Sequence, residues 1–154
     1  MPITGDIIRS VTAQLYEAAL KKVPQDTKAA LRRAERAETV ELGRKTLTLM
    51  LKSADTAERT GQLVCSDVGV PVYLVRIGTR VRFEGKIRQA ITDGFADLVD
   101  NIHPPILKMV TNPLTLQRSY KGRGMPIVTW DLVDDADFVE IVCSPKALGT
   151  GRWE

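Results

Sequence analysis

The spacing of apolar residues changes along this chain, and that change limits the folds open to it. Ile7, Ile8, Val11, Leu15, Ala18 and Ala19 recur at three- and four-residue steps, the period of a helix with one buried face. Pro24 ends that helix, and Asp26 is placed to cap the next. A further helical run begins near Thr39 and carries Leu42, Leu47, Met50 and Leu51. It stops around Thr60-Gly61, where glycine takes the left-handed conformation that helix ends favour. The stretch 70–77 is short, β-branched and bounded by Gly69 and Gly78, which predicts a strand. Helical period returns over 84–100, with Ile87, Ile91, Phe95 and Leu98 on one side. Residues 101–125 then form a long irregular segment with Pro104, Pro105 and Pro113, a length that in a compact domain signals function or disorder.

Two-residue alternation closes the pattern. Val128, Trp130 and Leu132 share one face of a strand, as do Val139, Ile141 and Cys143 of the next. The polar residues from Asp134 to Asp137 between them predict an antiparallel hairpin. The expected class is α+β, a helical N-terminal layer packed on a small, mostly antiparallel sheet, in a single domain over 1–154. The last ten positions, from Pro145 to Glu154, read as a loop. No helix or strand there finishes a domain, so the chain is expected to be part of a longer unit.

Composition narrows the function classes. With 154 residues, 44% hydrophobic and 27% charged, the chain can bury a core, which disordered sequences cannot. No stretch approaches the roughly 18 apolar residues of a membrane helix. The start, Met1-Pro2-Ile3-Thr4-Gly5-Asp6, has neither the basic nor the apolar region of a secretory leader. Two cysteines make no disulfide framework and suit a reducing, cytoplasmic setting. A net charge of +3 is too small a surplus to imply nucleic acid, and only three Phe, three Tyr and two Trp are present for base stacking. Lys28, Arg32, Arg33 and Arg36 alternate with alanines and glutamates, which reads as an ordinary solvated helix face.

The residue with most chemical potential is Cys65, between a helix end and a strand. A thiolate on such a turn is a candidate nucleophile or metal ligand; the alternative is a small buried hydrophobe. His103 is the only histidine, and there is no Cys-x-x-Cys, so no zinc set is complete. His103 reads as a loop or packing residue, and Cys143, inward by alternation, as core. Arg118, Lys121 and Arg123 surround the glycines of the irregular segment. They are either solvated loop charge or an attractor for a carboxylated substrate.

Two blocks carry a family resemblance. Cys65-Ser66-Asp67-Val68-Gly69 and the following strand are similar to the Cys-Gln-Asp-Thr-Gly segment of class I fumarases. Those enzymes and the alpha subunits of L-tartrate dehydratase form one iron–sulfur hydro-lyase family. The run from Gly122 to Asp131 (Gly-Arg-Gly-Met-Pro-Ile-Val-Thr-Trp-Asp) resembles the Gly-x-Gly-x-Pro-x-x-Thr-Trp-Asp of the tartrate dehydratase subunits, and Asn112-Pro113-Leu114-Thr115 fits as well. The resemblance covers the chain from about Thr39 onward. It implies a hydro-lyase that adds or removes water on a hydroxy-dicarboxylate of the fumarate/malate or tartrate type. It implies Cys65 as the first of three cysteines holding a 4Fe-4S cluster, Asp67 as a catalytic carboxylate at the substrate, and Gly122 as a backbone donor to a substrate carboxylate. Read without the resemblance, Asp67 is equally an Asx-turn residue and Gly122 a flexible loop glycine. A carboxylic-acid substrate, a complementary beta domain or subunit, and an oligomer are the implied partners.

The chain departs from the family in three places. Two further cluster cysteines have no counterpart here; a clamping arginine aligns with Leu107 or Lys108; and Lys146-Ala147-Leu148-Gly149-Thr150 replaces a Lys-Gly-Gly-Gly-Ser stretch. One cysteine cannot hold a cubane cluster, so the chain alone is expected to be inactive. The rival reading is a cluster-free structural or regulatory subunit that keeps the fold.

Overall fold

The structure, a computed structural model, describes residues 2–146. In chain order these form β1 (Ile3–Thr4), α1 (Gly5–Lys21), α2 (Gln25–Ala37), α3 (Glu41–Thr60), β2 (Val70–Gly78), β3 (Phe83–Glu84), α4 (Ile87–Asn101), β4 (Val110–Thr111), β5 (Arg118–Ser119), β6 (Ile127–Val133) and β7 (Val139–Lys146). Helices and small sheets together make the expected α+β class. The chain divides into two compact units, one of residues 20–65 and one of the residues on either side.

In the larger unit β2 is the central strand. Pro71, Tyr73 and Val75 are buried while Leu74 between them is exposed, the period-two signature of a sheet covered on one face. The buried face meets α1 and α4 through an aromatic cluster: the Tyr16 ring lies 5.9 Å from that of Tyr73 and stands edge-on to Phe95 at 5.7 Å. Such ring pairs add about 0.5–1.5 kcal/mol each beyond the apolar area they remove from water. Helix α4 contributes Ile91, Phe95 and Leu98, as its period predicts. Helix α1 is rotated from expectation. Its buried residues are Ile8, Thr12, Tyr16 and Leu20, whereas Ile7 and Val11 are half exposed. The reason is Gly94, where an added Cβ would stand 2.3 Å from the Arg9 carbonyl oxygen and 3.0 Å from the Thr12 side chain. The two helices approach at backbone distance there, so the crossing admits no side chain at position 94. The Arg9 guanidinium closes the exposed side of this contact, with Nη2 2.7 Å from Asp97, and it holds the Asp97 carboxyl below the usual carboxylate range.

The expected hairpin is not formed. Strands β6 and β7 lie on opposite sides of β2, β6 parallel to it and β7 antiparallel. The connection between them crosses the end of β2 at Gly78, where a Cβ would stand 2.3 Å from the Ala136 oxygen. Backbone hydrogen bonds fix the crossing, from Gly78 to the Phe138 carbonyl (2.9 Å), Thr79 to Val133 (3.0 Å) and Arg80 to Ala136 (2.9 Å). Alternation within each strand is as expected: Cys143 and Ile141 stand in register with Tyr73 and Val75 on the covered face. The irregular segment holds only the two-residue pair β4 and β5. Pro145 and Lys146, expected in a loop, belong to β7; the rest of that predicted loop, 147–154, lies outside the described residues.

In the smaller unit α2 and α3 pack as a helical hairpin. Pro24, not Asp26, occupies the N-cap of α2; Asp26 sits in the first turn, where its charge favours the helix dipole. Lys28 corrects the reading of a wholly solvated basic face. It is 2% exposed, its ammonium 3.0 Å from Asp55 and in close contact with Glu58. A lysine is buried this deeply only when paired. Gly61 ends α3 at φ +68°, as its position predicts.

Candidate functional site

The turn carrying Cys65 is fixed on both sides by backbone hydrogen bonds. Upstream, Val64 donates to the Leu20 carbonyl at 2.9 Å. Downstream, the Ser66 carbonyl accepts the Leu107 amide at 3.4 Å, Val68 is 2% exposed, and buried Gly69 takes φ +57° at the entry to β2. Cys65 itself is exposed, so a small buried hydrophobe is not what it is. Asp67 is half-buried, and its carboxylate has no hydrogen bond or ion pair among the described residues. It therefore closes no Asx turn of its own.

Cys143 behaves oppositely. Its Sγ lies 3.5 Å from the Leu15 carbonyl on the covered face of the sheet, and burial pushes its thiol up to about 11. The neighbouring Tyr73 hydroxyl is buried without a partner, and desolvation raises its ionisation well above the ordinary tyrosine range. These groups are core, as the alternation of β7 predicts.

Within the larger unit, the segment 101–125 is tied to the residues leading into β2 by the Ser66–Leu107 hydrogen bond. Within it, Asn112 accepts the amides of Leu114 (2.9 Å) and Thr115 (3.2 Å), a side-chain-closed turn that accounts for the Asn-Pro-Leu-Thr sequence. Gly122 packs against Val110, and its carbonyl accepts the Met125 amide at 3.2 Å around Gly124 at φ +79°. The Gly122 amide donates to no backbone carbonyl among the described residues, which leaves it available to a ligand. Lys108, rather than the exposed Leu107, brings charge here: its ammonium lies 6.0 Å from the centre of the Tyr120 ring, and the Tyr120 hydroxyl donates to Ile106 at 2.9 Å. Sequence reasoning missed Tyr120, though its place two residues before Gly122 was a usable signal. Arg118, Lys121 and Arg123 are exposed and make no ion pair among the described residues. His103 is exposed too, so it is a loop histidine and not a packing one.

Among Cys65, Asp67 and Gly122 no direct hydrogen bond is formed within the described residues. No group of three or more His, Cys, Asp or Glu side chains there could hold a metal ion. One exposed thiol and one half-buried thiol turned into the core do not fit a 4Fe-4S cluster, which needs at least three thiolates in one place. Nor is any described helix long and apolar enough to cross a membrane.

Comparison with known proteins agrees with the two motif blocks. A family model described as fumarate hydratase (Fumerase) matches residues 9–154. The putative L(+)-tartrate dehydratase subunit alpha of Methanocaldococcus jannaschii is 28% identical over 148 residues, covering 93% of this chain and 51% of that subunit. The L(+)-tartrate dehydratase subunit alpha of Escherichia coli O157:H7 is 25% identical over 138 residues, covering 88% of this chain and 44% of the subunit. The chain thus spans about half the length of the curated relatives it matches. With all but its first eight residues inside the match, it belongs to the class I fumarate hydratase and tartrate dehydratase alpha family.

Proposed function

We propose that this chain is the N-terminal part of the alpha domain of a hydro-lyase that adds or removes water on a hydroxy-dicarboxylate. Fumarate and tartrate are the substrate types the family and relatives' names supply. The observation that carries the reading is the exposed thiol of Cys65, held on a turn pinned at both sides, in a chain whose family match runs almost end to end. In this reading Cys65 gives one thiolate to a 4Fe-4S cluster whose other ligands come from polypeptide outside this chain. Asp67 faces the substrate as the group that moves a proton, since its carboxylate is committed to no other partner. Gly122 offers its backbone amide to a substrate carboxylate, and Lys108, Arg118, Lys121 and Arg123 raise the local concentration of such anions. Lysine gives Lys108 a point charge in place of the two-pronged guanidinium clamp, so orientation falls more heavily on the backbone amides. A beta domain or subunit completes the enzyme, and the assembly works in the reducing cytoplasm, where both thiols stay free.

The test is anaerobic co-expression with the remaining polypeptide of the enzyme, followed by iron, acid-labile sulfide and fumarate or tartrate turnover. The chain alone is expected to show neither iron nor turnover. In the complex, Cys65→Ser should remove iron and sulfide. Asp67→Asn should keep both and lower turnover by about 10²–10⁴-fold, the usual worth of a positioned proton-transfer group. Iron content unchanged by Cys65→Ser would overturn the ligand role. The second reading, a cluster-free structural or regulatory partner, draws on the single exposed thiol among the described residues. It requires a stable complex without iron.

A further inference from the structure

The sheet of the larger unit is unfinished. It has three strands in the order β6-β2-β7, where sheets commonly have about four to six. The face of β2 opposite Tyr73 and Val75 carries Val72, Leu74 and Arg76, in register with Ile127, Thr129 and Asp131 of β6 and with Ser144, Val142 and Glu140 of β7. Arg76 binds both carboxylates, 3.1 Å from Asp131 and 2.8 Å from Glu140, which gathers the charges of this face at one end. Beside Thr129 and Ser144 the remainder is aliphatic and open, with Leu74, Ile127 and Val142 39–50% exposed. The edge of β6 is the more exposed still. Its outer backbone pairs with no described strand, and on the side facing the core Leu132 is 72% exposed and Trp130 38%, with only the Arg88 guanidinium over the indole at 5.3 Å. A seven-residue edge with apolar side chains open on both faces is a pairing surface that proteins normally cover.

We propose that the open edge of β6 and the outer face of the sheet are where the polypeptide corresponding to the other half of the relatives' alpha subunit docks, adding at least one strand beside β6. The inference rests on the reading of this chain as one part of that subunit. Length argues for this occupant: the chain matches 51% and 44% of two relatives, in which the unmatched half is joined covalently to the matched one and present in equal amount. A second copy of this chain would leave that half without a seat. The surface chemistry suits a strand with apolar side chains on both faces, because Asp131, the carboxylate on the outer face of β6, is already paired with Arg76.

The test places a photo-crosslinking phenylalanine analogue at Leu132, at Val142 and, as a control, at Leu114, which is 91% exposed in the irregular segment. Each full-length variant is expressed in the native host, irradiated, and its cross-linked peptides are sequenced by mass spectrometry. The expected result is a light-dependent adduct from both Leu132 and Val142 whose peptides match the relatives outside the region this chain matches, and no such adduct from Leu114. Any other pattern overturns the proposal, whether adducts with a second copy of this chain, adducts with an unrelated protein, or no adduct at either position. Iron and sulfide measured on the same complex separate the two readings. An iron-free complex joined through Leu132 and Val142 leaves the docking surface standing and removes the cluster enzyme. An iron-loaded complex joined only elsewhere does the reverse.

Discussion

Cys65 and Cys143 show how one residue type takes opposite characters from its surroundings. The thiolate is the reactive form, and with its ionisation at about 11, roughly one Cys143 in a thousand is thiolate at pH 8. Iodoacetamide on the native chain is therefore expected to label Cys65 first, with Cys143 labelling rising about tenfold per pH unit until pH 11. Peptide mass spectrometry after timed quenching reads the order; equal rates at pH 8 would show that Cys143 is not held in the core. Alternation along β7 made the placement of Cys143 legible, whereas the turn before β2 left Cys65 open between an exposed thiol and a small buried hydrophobe. Lys28 was not legible in the same way. Its neighbours at helical spacing are solvated bases, and its burial comes from Asp55 and Glu58, which lie far along the chain and reach it only once α2 and α3 pack.

Among the elements, boundaries were readable and neighbours were not. The limits of α3, β2 and β6 follow from glycines and from periodicity, because these are local properties of the backbone; β7 runs on through Pro145 and Lys146, past its expected end. Pairing is non-local. Two alternating strands joined by a short polar turn predict a hairpin, yet β2 separates them. The five-residue connection spans two inter-strand spacings, about 10 Å, well inside the roughly 16 Å such a length can reach. What permits it is Gly78, whose missing Cβ makes room for the Ala136 carbonyl. Gly78→Ala should thus destabilise the fold by about 1–3 kcal/mol, the usual cost of forcing an atom into occupied space. Urea unfolding measures it, and an unchanged midpoint would mean the crossing has slack. A similar hidden contact, Gly94 against Arg9, explains why the buried stripe of α1 runs through Thr12 and Tyr16 and not through Val11.

For the whole molecule, the α+β class and the family were legible, since two motif blocks and a change of period both lie within this chain. The candidate site was legible residue by residue but not as an assembly. Cys65, Asp67 and Gly122 each occupy plausible positions, while the donor set they would need is not complete within the described residues. The same incompleteness governs behaviour in solution. The isolated chain is expected to scatter more light as its concentration rises, and Leu132→Lys should suppress this while leaving the unfolding midpoint within about 0.5 kcal/mol, as surface changes usually do. Static light scattering across a dilution series is the measurement, and scattering insensitive to Leu132→Lys would locate the association elsewhere. Beyond the test tube, an orphan strand edge of this kind makes synthesis a matter of timing. Ribosomes that released this polypeptide well ahead of whatever shelters Trp130 and Leu132 would leave an edge open to unwanted pairing, so matched production becomes a condition of the molecule's survival.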